Sequence, residues 1–166
     1  MAELSAIQES IDENEMAALE NEIKSARAVF VTGAGRSLLM MKAFAMRLMQ
    51  IGLTAYVVGE TVTPAITGMD LLVIGSGSGE KQSLVLTAKT AAECGAAVAC
   101  ITGVPFSRIT GYSRTVLTIP VPVKPAQPGG GVFEQSLLLA CDRIIMDLID
   151  GGSVNADLTA LHANLE

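Results

Sequence analysis

The sequence predicts an α/β fold, a three-layer αβα sandwich around a five-stranded parallel sheet, in a single domain. Segments with strand character alternate with segments of helical periodicity along most of the 166 residues, which is typical of repeated βαβ units. The strand segments are apolar throughout, as expected for strands that helices cover on both faces. Glycine-rich breaks follow two of these strands, at residues 33–35 and 75–79. In a parallel sheet such breaks lie at the carboxyl ends of the strands, where ligands bind.

Hydrophobic periodicity and the residues that interrupt it define the individual elements. Five short apolar runs predict strands over residues 28–32, 54–58, 70–75, 97–102 and 115–119. Helical spacing of apolar residues predicts helices over residues 3–24, 37–50, 80–94 and 132–149, with a further short helix over 153–166. Residues 120–131 contain four of the six prolines and three consecutive glycines, so we predict a loop there. The domain thus divides into an N-terminal helix within residues 1–24, a core over 25–150 and a C-terminal helix or tail over 151–166.

Composition and charge restrict the class of protein and its partners. The chain suffices for one well-buried domain, and its 50% hydrophobic and 17% charged residues indicate surface that is buried in an oligomer. A net charge of −6 does not favour binding to nucleic acid or to an anionic membrane. No apolar run is long enough to span a bilayer, and the acidic N-terminus lacks the apolar segment of a secretory signal.

The cysteines and the single histidine indicate the redox compartment and the metal chemistry of the protein. Cys94, Cys100 and Cys141 are odd in number and show no C-x-x-C spacing, so we expect reduced structural thiols in a cytoplasmic protein. One histidine, His162, argues against a metal site built on imidazole.

The turn after the strand at 70–75 has the composition of an anion-binding site. Its glycines let the backbone approach a ligand, and the amide N–H groups that begin the next helix have no partners within that helix. Ser76 and Ser78 add hydroxyl donors, and Lys81 adds a positive charge at the rim. The alternative is that these residues only close the turn and cap the helix. The spacing does not match a P-loop, because the sequence has no G-x-x-x-x-G-K-[ST] segment.

A second strand-to-helix turn has the sequence GAGRS, residues 33–37. Ser37 can cap its helix or donate a hydrogen bond to a ligand. Arg36 can pair with a phosphate, with another ligand oxygen or with a neighbouring carboxylate. Leu38 stands where the G-x-G-x-x-G pattern needs its third glycine, which disfavours a nucleotide-binding α/β domain as an alternative.

Six separated motifs together resemble the 6-phospho-3-hexuloisomerases, a family of sugar isomerase (SIS) domain proteins. The motifs are GAGRS at 33–37, KAFAMRLMQIG at 42–52, GETVTPAI at 59–66, DLLVIGSGSGE at 70–80, FEQ at 133–135 and HANLE at 162–166. The resemblance implies a SIS-type, flavodoxin-like sheet and assembly into homodimers or homotetramers. It implies conversion of D-arabino-hex-3-ulose 6-phosphate to fructose 6-phosphate in the ribulose monophosphate pathway of formaldehyde fixation, beside a hexulose-phosphate synthase. It implies no metal and no organic cofactor.

The resemblance also implies roles for individual residues. The FEQ motif makes Glu134 the base that moves a proton between two carbons through an enediol. The tail histidine His162 of one subunit is expected to reach the site of another. The residues expected to bind the sugar phosphate are Arg36, Ser37, Ser76, Ser78, Gly79 and Lys81. Without the resemblance, the favoured interpretation is that Glu134 is a favourable charge in the first turn of a helix and that His162 is a surface residue.

Three positions depart from the family pattern. Lys81 replaces a threonine of the glycine-serine turn, Leu38 replaces a glycine and adds bulk near the expected pocket, and Gly131 replaces a serine or threonine. These departures affect the expected affinity and turnover more than the fold. A non-catalytic SIS module that binds a phosphosugar and regulates a partner remains the alternative. Such sensors usually carry a DNA-binding domain, and here only about 25 residues precede the first strand.

Overall fold

The computed structural model describes residues 2–152, 154 and 157–165. Five parallel strands form one sheet with the order β2-β1-β3-β4-β5. The strands are β1 (Val29–Gly33), β2 (Ala55–Val57), β3 (Leu71–Ser76), β4 (Ala97–Thr102) and β5 (Thr115–Thr118). The predicted α/β sandwich with a five-stranded parallel sheet is therefore confirmed, and each strand differs from its predicted bounds by two residues or fewer.

Helices cover both faces of this sheet. They are α1 (Ala2–Glu9), α2 (Glu13–Ser25), α3 (Arg36–Gln50), α4 (Gln82–Glu93) and α5 (Gly131–Asp150), with a 3₁₀ turn at Thr110–Tyr112. No helix within the described ranges is long and apolar enough to cross a membrane.

The prediction of one N-terminal helix over residues 3–24 was wrong, because the chain breaks between α1 and α2. The carboxylate of Asp12 accepts hydrogen bonds from the backbone N–H groups of Asn14 (2.7 Å) and Glu15 (3.2 Å). An aspartate that binds the backbone in this way begins a new helix instead of continuing the preceding one.

The predicted helix over residues 153–166 is also not found in the described part of the tail. The carboxylate of Asp157 accepts hydrogen bonds from the N–H and the hydroxyl of Thr159, and residues 158–161 form turns. Here too a short acidic side chain competes with helical hydrogen bonding. The prediction at residues 153, 155, 156 and 166 lies outside the described residues.

Alternate residues of the central strands face two separate cores, as the period of a strand requires. Val29, Val31 and Val73 belong to the larger core, which α1, α2, α3 and α5 cover. Phe30 and Ile74 belong to the smaller core beneath α4. Because both faces are covered, the strands can be apolar along their whole length, which explains their pattern in the sequence.

The strand order places a switch point between β1 and β3. From β1 the chain continues to β2 on one side and then returns to β3 on the other side. The two strands are paired up to the end of β1, where Gly33 lies opposite Gly75, one residue before the end of β3. The two glycine-rich turns therefore leave the sheet side by side, at the position where open α/β sheets bind ligands.

Candidate active site

Two strand-to-helix turns form the base of the candidate site, GAGRS at 33–37 and the glycine-serine turn at 75–81. A methyl group added at Gly33 would lie 3.0 Å from the Leu38 nitrogen and 3.1 Å from the Gly75 carbonyl oxygen. The close approach of the two turns therefore requires glycine at residue 33.

Three helices begin at this edge of the sheet without a side-chain cap. The N-cap residues are Gly35 for α3, Lys81 for α4 and Gly130 for α5, and none of their side chains accepts a hydrogen bond from a helix N–H. By contrast, Asp12 caps α2. Amide N–H groups in an uncapped first turn are unsatisfied and carry a partial positive charge. The three helix starts together make this edge attractive to an anion.

The glycine-serine turn keeps its shape through its own side chains. Ser76 Oγ accepts a hydrogen bond from the Gly79 N–H at 3.2 Å, and Ser78 Oγ accepts one from the Glu80 N–H at 3.3 Å. Gly79 has φ +65°, in the left-handed region that glycine adopts without strain. A serine oxygen that accepts in this way still carries a proton to donate. Closing the turn and binding a ligand are therefore compatible roles.

A cavity of about 270 Å³, called the first cavity below, opens directly over this turn. The first cavity is lined by Ala34, Gly35, Ser37, Gly75, Ser76, Gly77, Ser78, Lys81 and Leu84. Backbone groups of both turns, three serine hydroxyls and one lysine thus surround it, and no carboxylate of the described residues lines it. This lining suits a phosphate group.

A second cavity of about 450 Å³ adjoins the first and shares three of its lining residues. It is lined by Ser37, Gly77, Ser78, Gly103, Val104, Val121, Gly130, Phe133 and Glu134. The shared residues are Ser37, Gly77 and Ser78. A ligand with a phosphate at one end and a carbon chain at the other could occupy both cavities at once.

Glu134 is the acidic group of the second cavity. It lies in the first turn of α5, and its side chain is 13% exposed. Its Oε2 atom lies 2.6 Å from Nε of Arg36, whose side chain is 60% exposed. Oε2 is buried, and no described residue gives it a hydrogen bond of normal geometry. The contact with Arg36 is therefore an ion pair.

Of the three partners considered for Arg36, the structure therefore shows the neighbouring carboxylate. Arg36 begins α3 and Glu134 lies in the first turn of α5, so the packing of the two helices brings the charges together.

His162 lies apart from both cavities in this chain. Its side chain is exposed, and Nδ1 lies 3.1 Å from the carbonyl oxygen of Ala163. Of the eight residues expected at the site, Gly79 shapes the turn, Arg36 pairs with Glu134, and the other five, apart from His162, line a cavity.

Two of the three departures from the family pattern lie outside the cavity linings. Leu38 and Gly131 line neither cavity, so the crowding expected from Leu38 is not observed. Lys81 does line the first cavity.

Sequence reasoning missed the apolar wall of the second cavity, which Phe133, Val104 and Val121 form. The Phe133 ring packs against the glycine-serine turn, where a methyl group added at Gly77 would lie 3.2 Å from the ring. The only signal was the position of Phe133 next to Glu134, because the contact joins segments far apart in the chain.

Two further observations concern other places where a ligand or a metal ion could bind. A cavity of about 320 Å³ lies between α4 and the loop after β2. The described residues that line it include no charged side chain, so it does not suit a sugar phosphate. In the part of the chain that the structure describes, no three His, Cys, Asp or Glu side chains come close enough to hold a metal ion.

The sheet order and the glycine-serine turn at the switch point define a SIS-type α/β domain, and the SIS domain family model matches residues 22–138. The chain therefore belongs to the SIS domain family.

Similar proteins narrow the assignment within that family. A 3-hexulose-6-phosphate isomerase from Bacillus subtilis is 40% identical over 165 residues, which are 94% of this chain and 89% of the relative. The enzyme of the same name from Mycobacterium gastri is 40% identical over 164 residues, 94% of this chain and 82% of the relative. A Methanococcus jannaschii protein, whose crystal structure led to an inferred function of 3-hexulose-6-phosphate isomerase, is 28% identical and has a TM-score of 0.90. That alignment covers 99% of this chain and 98% of the other. The resemblance indicated by the six motifs is confirmed.

Proposed function

We propose that this chain is an isomerase that interconverts D-arabino-hex-3-ulose 6-phosphate and fructose 6-phosphate. Family membership supports the reaction. The observation in the structure that carries the proposal is the position of Glu134. Its carboxylate lies in a cavity that shares Ser37, Gly77 and Ser78 with the cavity over the glycine-serine turn.

The first cavity holds the phosphate in this proposal. The uncapped N–H groups at the start of α4 and the hydroxyls of Ser37, Ser76 and Ser78 donate to the phosphate oxygens. Lys81 adds a positive charge from the rim. With the phosphate on C6 held there, the carbon chain extends into the second cavity towards Glu134.

Glu134 performs the proton transfer between carbons. It removes the proton from C2 of the 3-ulose, the C2–H electron pair becomes the C2=C3 double bond, and O3 gains a proton to give the enediol. The enediol then loses the O2 proton, C2=O forms, and Glu134 returns its proton to C3. One carboxylate on one face of the enediol can do both steps. Arg36, 2.6 Å from Glu134, stabilises the negative charge that develops on the oxygens.

The proton that passes between O2 and O3 is assigned to His162 of a neighbouring subunit. A neutral imidazole both donates and accepts a proton near neutral pH. Val154 and Leu158 pack against the main core, whereas residues 159–165 are exposed. The end of the tail is therefore accessible to another copy of the chain.

Assembly into a homodimer or homotetramer is part of the same proposal. Large apolar side chains are exposed along two neighbouring helices, which lie on one face of the sheet. These side chains are Leu39, Met46 and Met49 of α3 and Leu139 and Met146 of α5. We place the protein in the cytoplasm, in the ribulose monophosphate pathway beside a hexulose-phosphate synthase. Neither step of the mechanism uses a metal or an organic cofactor.

The proposal is tested by a coupled assay on the purified protein. The 3-ulose 6-phosphate is supplied, and fructose 6-phosphate is detected by its enzymatic conversion to glucose 6-phosphate and reduction of NADP. We expect turnover that is unchanged by a metal chelator. In deuterated solvent, deuterium should appear at C3 in those turnovers in which the proton held by Glu134 exchanges before it is returned. Binding of the phosphosugar without turnover would instead indicate the non-catalytic SIS module.

A further inference from the structure

The segment that follows β4, residues 103–109, is hydrogen-bonded to the glycine-serine turn. The Gly103 N–H donates to the Gly77 carbonyl oxygen and the Ile109 N–H donates to the Gly79 carbonyl oxygen, each over 3.0 Å. Ser107 packs against Gly79 so closely that a methyl group added there would lie 2.5 Å from the Ser107 Cβ atom. The shape of the turn therefore depends on where this segment lies.

Glu80 makes the third hydrogen bond between the turn and the segment. Its Oε1 atom accepts the Arg108 N–H at 2.9 Å, while its own N–H donates to Ser78 Oγ at 3.3 Å. Through its side chain and its own backbone N–H, Glu80 thus connects Arg108 to Ser78, which lines both cavities.

A carboxylate at this position is electrostatically unfavourable for an anion site. Glu80 lies between Ser78 and Lys81, both of which line the first cavity, and like charges repel a bound phosphate. Glu80 itself lines neither cavity, because its carboxylate is turned outwards to the Arg108 amide. A role in direct phosphate contact is therefore excluded by geometry, and a role in holding the turn fits it.

We propose that Glu80 is a positioning residue for phosphate recognition. Its carboxylate fastens segment 107–109 to the glycine-serine turn and so keeps the turn in the shape that receives the phosphate. This inference rests on the proposed function, because it assumes that the first cavity binds the phosphate of the substrate.

The two effects of Glu80 have opposite signs, which makes them separable. Removing its charge favours anion binding, whereas removing its hydrogen-bond acceptor loosens the turn. Glu80→Gln removes the charge and keeps a side-chain oxygen that can accept the Arg108 N–H. Glu80→Ala removes both. If charge alone mattered, both variants would bind phosphate more tightly than the wild type.

The experiment measures the Kd for inorganic phosphate by calorimetry, kcat and KM for the isomerase reaction, and amide hydrogen exchange over residues 105–112. For Glu80→Ala we expect Kd and KM to rise roughly three- to tenfold, the effect of losing one partly exposed hydrogen bond to a charged acceptor. We expect kcat to fall less than KM rises, and the Arg108 and Ile109 amides to exchange faster. Glu80→Gln should have the Kd, KM, kcat and amide exchange of the wild type, or bind phosphate more tightly.

Glu93→Ala is the matched control. Glu93 lies at the other end of α4, where it forms an exposed ion pair with Lys89 at 3.7 Å. The variant removes the same side chain at a distance from the turn, and all three measurements should match the wild type.

The outcomes separate this inference from the proposed function. If the wild type neither binds phosphate nor isomerises the substrate, the proposed function fails and this inference fails with it. If the wild type does both, and Glu80→Ala binds phosphate as tightly as Glu80→Gln with unchanged exchange at Arg108, only the role of Glu80 is overturned.

Discussion

The two edges of the sheet use buried carboxylates in opposite ways. At the amino edge, just before β3, the Asp70 carboxylate accepts hydrogen bonds from Arg27 Nε (3.0 Å), Arg27 Nη2 (2.9 Å), the Thr67 N–H (2.8 Å) and the Thr67 hydroxyl (2.9 Å). At the carboxyl edge, Glu134 Oε2 is buried next to Arg36 and accepts no hydrogen bond of normal geometry from the described residues. One acid is held by four hydrogen bonds, and the other by an ion pair with one arginine.

The difference shows how stability and function are divided within one fold. Asp70 lies where backbone hydrogen bonds join the beginnings of neighbouring strands. The Arg27 N–H donates to the Met69 carbonyl oxygen, and the Ala97 N–H donates to the Asp70 carbonyl oxygen. At the opposite edge three helices begin without side-chain caps. A missing cap costs about 1 kcal/mol of stability for most residues and a few tenths of that for glycine, which is the N-cap residue of α3 and α5. Unsatisfied groups at one edge are consistent with a ligand site, and satisfied groups at the other with a structural role.

The largest expected effect tests whether the unsatisfied carboxylate is the base. Glu134→Gln should lower kcat by roughly 10²- to 10⁴-fold, the usual contribution of a general base, while the Kd for inorganic phosphate stays within about twofold. Steady-state kinetics and phosphate calorimetry measure the two quantities.

The control for this variant is Glu60→Gln, because Glu60 also pairs with a basic residue of α3, Lys42, at 2.6 Å. It should leave kcat and KM unchanged. Normal turnover in Glu134→Gln would remove Glu134 from the mechanism and with it the contrast between the two edges.

The next effect tests the packing of the glycine-serine turn. Gly79→Ala should abolish measurable phosphate binding, because the added methyl group would collide with Ser107 and the backbone is left-handed, with φ +65°. Gly152→Ala imposes a similar left-handed strain, with φ +66°, but meets nothing within 4 Å. The control should therefore lose only about 1 kcal/mol of unfolding free energy and keep its KM. Equal phosphate affinities in the two variants would contradict a close-packed turn.

The amino edge predicts a pH-dependent loss of stability. Burial on its own would raise the pKa of Asp70, but hydrogen bonds from Arg27 and Thr67 outweigh it and hold the pKa below its ordinary value. As the pH falls, the unfolded chain therefore takes up a proton at this residue before the folded protein does. The stabilisation is complete above the unfolded pKa of about 4 and is lost as the pH falls through the lower folded pKa.

Asp70→Asn should accordingly lower the free energy of unfolding by about 2 kcal/mol at neutral pH, and the difference from the wild type should shrink below about pH 4. Urea unfolding at pH 7, 4 and 3 measures it. The control Glu22→Gln breaks the more exposed pair with Arg114 at the same edge and should cost less than about 1 kcal/mol. A difference that is independent of pH would show that the Asp70 charge contributes nothing.

The sequence predicted the fold well because its signals are local. Strand 97–102 has the predicted bounds, and helix 37–50 begins one residue earlier. The two errors, at residues 3–24 and 153–166, have one cause: Asp12 and Asp157 bind nearby backbone groups, and helical periodicity does not register this competition.

The site was predictable where a turn's own composition defines it, as in Ser76 and Ser78. It was not predictable where distant segments meet. The Arg36–Glu134 ion pair, the contact of Phe133 with Gly77 and the hydrogen bond from Arg108 to Glu80 depend on how helices and loops pack on the sheet. Hydrophobic periodicity carries no information about such contacts.

The smallest expected effect concerns His162, which lies in the exposed C-terminal tail and at neither edge of the sheet. A 3-ulose cannot close a five-membered ring, because that ring needs O6 and O6 carries the phosphate. Fructose 6-phosphate does close a ring, through O5. If His162 also opens this ring, that role adds to its effect with the cyclic substrate and not with an analogue such as 5-deoxyfructose 6-phosphate, which lacks O5 and stays open.

Steady-state kcat/KM values for the forward and reverse reactions cannot provide this test, because the equilibrium constant fixes their ratio. The comparison must be between cyclic and open-chain substrates in one direction. For His162→Ala we expect a loss of roughly tenfold with fructose 6-phosphate, below the usual range for acid–base catalysis because the ring also opens unaided in water. The open-chain analogue should lose less, because only the transfer between O2 and O3 is affected there. Equal losses with both substrates would exclude ring opening and leave the transfer between O2 and O3 as the role of His162, whereas no loss with either would place the tail outside the site altogether.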